Sequence, residues 1–184
     1  MRLYLVRHAR PAVDDGVCYG STDLPVPPYE QQEALEKLIS ALPVRVPIFS
    51  SPLQRCRILA STLANALDAG EVILDSRLAE MHFGAWEMRA WDAIARREID
   101  EWAANLLEYR PGGGETVLEV AQRVRAFYED LCSRQWGSAI LVCHAGTIRM
   151  LLASQYSASV DEMALKAART PHRIGYGEAI TVDC

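Results

Sequence analysis

Arg2-Leu3-Tyr4-Leu5-Val6, an apolar run that halts at Arg7-His8, opens the chain and decides how the rest is read. The run is β-rich and far too short for a helix, so it predicts a strand covered on both faces. Ser138-Ala139-Ile140-Leu141-Val142-Cys143 repeats the pattern late in the chain and also ends in a histidine, His144. Between these two, further strands are expected at 44–49 and 71–75, and helices at 30–41, 52–67, 91–107 and 117–134. Ser51-Pro52 offers an N-cap hydroxyl and a proline at the first helical position. Another helix opens at Gly146-Thr147 and runs through Ile148, Leu151 and Leu152, and edge strands are expected around 173–175 and 179–182. Strands alternating with helices imply a mostly parallel central sheet with helices on both faces, a three-layer α/β/α sandwich. At 184 residues and 50% hydrophobic, the chain is long enough for one good core and short for two, so a single domain over 1–184 is expected.

The formal net charge of -5 argues against a nucleic-acid partner, which requires a strongly basic face. Any anion site must be a local cluster on an acidic background. Of the 19 Lys+Arg, only Lys37 and Lys166 are lysines. Arginine offers a fixed fork of donors that fits phosphate in a bidentate way. Cys18, Cys56, Cys132, Cys143 and Cys184 are scattered and form no C-x-x-C pair, so neither a disulfide framework nor a zinc site is suggested. No charged-then-apolar leader opens the sequence and no apolar run reaches the roughly 18 residues that span a bilayer. The expectation is a cytoplasmic protein with no membrane contact, no metal and no cofactor.

In open α/β sheets, ligands sit beyond the carboxyl ends of the strands. The sequence puts Arg7-His8 after the first strand, Ser50-Ser51 with Arg55 after the second, and His144 after the last long one. One histidine after a strand is more often a satisfied hydrogen-bonded side chain than a catalyst. Two in matched settings, beside Ala9 and beside Ala145-Gly146, point instead to a dianion pocket. The loop 75–87 supplies carboxylates for proton transfer, and spacing alone does not choose between Glu80 and Glu87.

Arg7-His8-Ala9, Ser51-Pro-Leu-Gln-Arg55 running to Thr62, Leu78-Ala-Glu80 through Gly84 to Glu87, Gly113-Gly-Glu115-Thr and His144-Ala-Gly-Thr-Ile-Arg149 together resemble the histidine phosphatase superfamily, which includes the phosphoglycerate mutases. The blocks fall in the family's order along nearly the whole chain. Arg7-His-Ala-Arg-Pro11, the segment 16–25 and Glu80 to Met88 look most like the α-ribazole phosphatase branch, which acts in cobalamin assembly.

The resemblance implies a metal-independent phosphomonoesterase with a small-molecule phosphate ester as its partner, acting through a phosphohistidine on His8. It implies Arg7, Arg55 and a protonated His144 as the phosphate pocket, with Ala145 and Thr22 also touching substrate, and Glu80 as general acid and base. A mutase or sugar-phosphate phosphatase on the same residues is the rival enzyme reading, and a non-catalytic phosphate-binding domain the rival outside enzymes. Monomer and homodimer both stay open. Ala9 stands where relatives have glycine, and Arg10-Pro11 and Asp14 stand where many have other pocket residues; Asp14 is expected to face away or to meet a cation of the substrate.

Outside that set, His82 and His172 read as surface residues and Cys143 as a buried inert thiol. Trp86, Trp91 and Trp102 suit either a stacking lid or a core. Gly112-Gly113-Gly114 reads as a turn, since no G-K-[ST] follows it.

Overall fold

The computed structural model describes residues 1–171 and 173–183, so the expectations for His172 and Cys184 lie outside the described residues. The strands are β1 (Arg2–Arg7), β2 (Val17–Cys18), β3 (Ile48–Ser50), β4 (Ile73–Leu74), β5 (Arg89–Ala90), β6 (Ser138–Cys143) and β7 (Ala179–Asp183). The helices are α1 (Pro28–Ala41), α2 (Gln54–Ala66), α3 (Arg96–Ala104), α4 (Val117–Ser133), α5 (Ala145–Ser154) and α6 (Val160–Arg169). Five strands form the main sheet in the order β4-β3-β6-β1-β7, while β2 and β5 pair separately. β1, β3, β4 and β6 are parallel and β7 closes one edge antiparallel to β1.

Alternation along the strands builds the two faces. Leu3, Leu5, Leu141 and Cys143 point to one side, where α4, α5 and α6 cover them with Val124, Phe127, Leu151 and Met163. Val6, Ile140 and Val142 point to the other, against Leu38 of α1 and Leu59 and Leu63 of α2. The sandwich therefore has three layers, as expected. Each fully buried leucine contributes about 1.5–3 kcal/mol of transfer free energy, so the sheet carrying the site is rigid at its centre.

Several boundaries differ from expectation, each for a local reason. α2 begins at Gln54 with Leu53 as its cap, because the Ser51 hydroxyl accepts the Leu53 N–H and is drawn towards His144 instead of capping from Pro52. The strand expected at 44–49 is confined to Ile48–Ser50; Arg45 takes a φ of 57° that no strand accommodates. Residues 173–175 form no strand, and the Ile174 carbonyl instead accepts a hydrogen bond from Arg7. The helix expected at 91–107 breaks into a 3₁₀ turn at Trp91–Ala93 and the short α3. α6 was not anticipated, although Ser159 accepting from the Glu162 N–H is a serviceable cap signal.

Candidate active site

β1, β3 and β6 run parallel and side by side, so the residues after their carboxyl ends enter one crevice. Arg7 pairs with Cys143 across the β1–β6 ladder, which sets His8 and His144 next to each other. Their ring centroids are 5.1 Å apart. Both rings are buried, at 2% and 1% exposure.

The His8 Nδ1 lies 2.7 Å from the Ala9 carbonyl oxygen. A carbonyl can only accept, so Nδ1 carries the proton and Nε2 presents its lone pair. Burial, then the Arg55 charge, with Arg7 adding less, holds His8 well below the usual histidine range. This environment therefore favours a neutral imidazole at His8. Ala9 is not among the residues with positive φ, so its methyl group causes no strain where relatives carry glycine.

Arg55 is completely buried, and each of its three nitrogens donates to a partner. Nη1 donates to the Thr22 carbonyl at 2.7 Å, Nη2 to the Gly20 carbonyl at 2.5 Å, and Nε to His144 Nδ1 at 3.3 Å. Because a guanidinium only donates, His144 Nδ1 must accept, and the ring proton sits on Nε2, 2.8 Å from the Ser51 hydroxyl. Burial first, then His8 and Arg55, pushes His144 well below its ordinary value. His144 is thus a neutral donor here, which corrects the expectation of a protonated one. Arg7 donates from Nη1 to the Ile174 carbonyl at 2.7 Å and stacks on Tyr176 at 3.8 Å. Its Nε is buried without a partner.

The two candidate carboxylates separate cleanly. Glu80 accepts the N–H groups of Met81 at 2.9 Å and of Gly146, in the first turn of α5, at 3.1 Å. A Cβ on Gly146 would come 2.4 Å from Glu80 Oε1, so glycine is required for this approach. Arg123 donates to the Arg77 and Ala79 carbonyls while bound to Glu115, and Thr147 also donates to Ala79, so the segment before Glu80 is held firmly. Glu87 instead binds the N–H and hydroxyl of both Ser21 and Thr22 and the N–H of Phe83. Burial opposes its charge, but these bonds outweigh it and keep the carboxyl below its ordinary range. Glu87 ties down the loop whose carbonyls hold Arg55. Thr22, expected at the substrate, spends its hydroxyl on Glu87 and its carbonyl on Arg55.

A cavity of about 660 Å³ adjoins Glu80 and Ala145, walled by Phe83, Trp91, Trp102 and Leu106. Trp91 and Trp102 lie 6° from parallel, with centroids 6.3 Å apart. Trp86 is core, 1% exposed, with its indole N–H on Glu98. A second space of about 230 Å³ beside Arg7 is lined in part by Arg10, Asp14 and Asp15. Tyr19 borders both and its hydroxyl meets that of Tyr176 at 3.0 Å. His82 is exposed, as expected. The turn at Pro111–Gly113 is latched to the segment before it: Gly112, at φ 60°, leaves no room for a Cβ, which would lie 2.3 Å from the Phe83 carbonyl, and Glu115 N–H donates to the His82 carbonyl. Tyr19 and Tyr176 were not anticipated as pocket residues, whereas Ser51 was placed at the crevice by its position after the second strand.

A parallel α/β sheet ending in two neutral histidines between two arginines defines a phosphate-handling protein. The chain belongs to the histidine phosphatase superfamily (branch 1), whose model matches residues 3–170. It is similar to "Putative phosphoserine phosphatase 2" of Hydrogenobacter thermophilus, at 30% identity over 157 residues covering 82% of this chain and 76% of that one. It is also similar to "Probable phosphoglycerate mutase GpmB" of Escherichia coli, at 29% identity over 161 residues, with 84% of this chain and 74% of that one covered. Among solved structures, the alpha-ribazole phosphatase from Shigella flexneri superposes with a TM-score of 0.80 at 25% identity, over 100% of this chain and 90% of that one. The chain is an enzyme of the phosphatase class.

Proposed function

We propose that the protein hydrolyses a phosphate monoester by transferring its phosphoryl group to His8 and then to water. The observation that carries this is the His8 ring, fixed through Nδ1 on Ala9 with the Nε2 lone pair free, beside Arg7, Arg55 and His144. Nε2 attacks phosphorus and the ester oxygen leaves as Glu80 gives it a proton. Glu80, now a carboxylate, takes a proton from the water that cleaves phospho-His8, releasing phosphate and restoring the ring. Phosphoryl transfer needs positioning and charge stabilisation above all. The guanidinium of Arg7 and the Arg55 charge supply these from the protein, with the His144 ring held beside them between Arg55 and Ser51, without a metal.

The leaving group is bulky and aromatic on this reading, since the space next to Glu80 and Ala145 is walled by Phe83, Trp91 and Trp102. α-Ribazole 5′-phosphate, an intermediate of cobalamin assembly, is the first named candidate, supported by the likeness to the Shigella flexneri enzyme. A second reading, a mutase or sugar-phosphate phosphatase, draws on the polar space lined by Arg10 and Asp14 beside Arg7, which suits a small hydroxylated leaving group. Phosphate release from a panel of esters, with and without EDTA and beside His8→Ala, tests the reading. Turnover that ignores EDTA and vanishes in His8→Ala is expected, with α-ribazole 5′-phosphate above phosphoglycerates and sugar phosphates. Undiminished turnover in His8→Ala would end it.

A further inference from the structure

The arginines of this chain are, as a rule, accounted for. Arg77 meets Asp75 and Asp130, Arg123 meets Glu115, Arg125 meets Glu129, and Arg55 spends its donors on carbonyls and His144. Among the described residues, only Arg7 and Arg149 keep a buried Nε with no hydrogen-bond partner. For Arg7 the reason is the substrate phosphoryl group it faces in the proposed reaction. Arg149 poses the same question elsewhere.

Arg149 lies on α5, one turn after Gly146, and borders the 660 Å³ cavity beside Glu80. Its bond to protein is one from Nη2 to the Ala168 carbonyl at 3.4 Å, and no described carboxylate lies within ion-pairing distance. Burial lowers its pKa, with the Glu80 charge opposing that, as befits a cation short of a counter-ion. Arg149 is half-buried, and even partial withdrawal of a guanidinium from water without an anion carries a desolvation cost that an anionic ligand would offset. Trp102 lines the same space, and its Nε1–H is buried with no acceptor, although Trp86 spends its own on Glu98. Both orphans are donors, so what fills the cavity brings acceptors. Glu80 is the one carboxylate on the lining, against Arg149 and Arg169, and it is already bound to the Met81 and Gly146 N–H groups.

We infer that this cavity contains a second oxyanion subsite, with Arg149 as its cation and the Trp102 N–H as a neighbouring donor, for a carboxylate or phosphate carried on the aromatic leaving group. This rests on the phosphomonoesterase reading and deepens it. Substrates are then esters with two acidic ends, one at His8 and one at Arg149, joined by an apolar body against Phe83 and Trp91. An uncharged nucleoside such as α-ribazole offers Arg149 only neutral acceptors, so aromatic esters that carry an acid rank above it.

The test compares benzyl phosphate with its 4-carboxy and 4-phosphonomethyl derivatives on the full chain. A charge-assisted bond implies a preference in kcat/KM of about tenfold or more for an acidic member, and the two arms tell carboxylate from phosphate. In Arg149→Gln that ratio falls towards one, in Arg149→Lys part of it returns, and in Trp102→Phe, which keeps an aromatic ring and loses the donor, it falls severalfold. A ratio near one in the unaltered protein, or a ratio that Arg149→Gln leaves intact, overturns the subsite. If no ester is turned over, the phosphatase reading fails by itself. The subsite is then judged by titrating 2-naphthoate against tryptophan fluorescence: saturable quenching lost in Arg149→Gln sustains it, and no quenching removes it.

Discussion

The pocket around His8 and the cavity beyond Glu80 touch along one edge and are built on opposite plans. In the first, His8 Nδ1, both ring nitrogens of His144 and each nitrogen of Arg55 have a partner within the protein while His8 Nε2 is left open, and the parts hang from strands at the centre of the sheet. In the second, the walls are aromatic side chains from loops and the short α3, and two buried donors have nothing to bind. Chemistry that must be the same for any phosphate ester sits on the rigid part. On the proposed reading, recognition of what the phosphate is attached to sits on the part whose sequence can drift without disturbing the sheet.

Substitutions in the two regions should therefore differ in kind. His8→Ala is the largest expected effect: turnover drops by about 10⁴-fold or more for every ester, and no acid-labile phosphoenzyme forms on rapid quenching. Glu80→Gln comes next, with a loss of roughly 10²–10⁴-fold that shrinks for esters whose leaving group needs no proton, such as 4-nitrophenyl phosphate. An equal loss for good and poor leaving groups would deny it the acid role. Glu87→Ala strands the Ser21, Thr22 and Phe83 donors and should cost about 2–4 kcal/mol in denaturant unfolding, together with a rise in KM as the carbonyls gripping Arg55 loosen. A variant with normal stability and KM would separate that loop from the pocket.

The smallest effect is on pH. His8 and His144 titrate below the unfolded histidine value, so between that lowered range and about 6.5 the unfolded chain binds more protons than the folded one. Stability therefore rises with pH across this window and is lost as pH falls below about 6.5, while His8 stays neutral. The acid limb of kcat/KM is expected below the ordinary histidine range; a midpoint near 6.5 would mean that burial does not govern His8.

The rigid region was also the legible one. Strand ends at Arg7-His8 and Cys143-His144 could be read because a buried parallel strand leaves an unbroken apolar run, and a polar residue that ends it stands out. The block from Ser51 to Arg55 was legible through the resemblance instead, since Arg45 and Pro47 interrupt the run before it. The choice between Glu80 and Glu87 was not, because it depends on Gly146 in one case and on Ser21 and Thr22 in the other, all distant in sequence. Tyr176, stacked on Arg7 from a segment that forms no regular element, left no periodic trace. Arg149 was visible as part of the block after His144, but its missing partner is a fact about space, not order.

The pairing of Arg7 with Cys143 makes the distance between the two imidazoles a product of the ladder itself, since neighbouring strands stand about 4.8 Å apart. Nothing in the loops has to measure that gap. A slip of one residue between these strands would carry Arg7 or Ala9 into the place of His8 and turn the nucleophile's slot to the wrong layer. Evolution could thus rebuild every surrounding loop for a new metabolite while the spacing of the reactive pair was copied unchanged, in the way a ruler survives a change of what it measures.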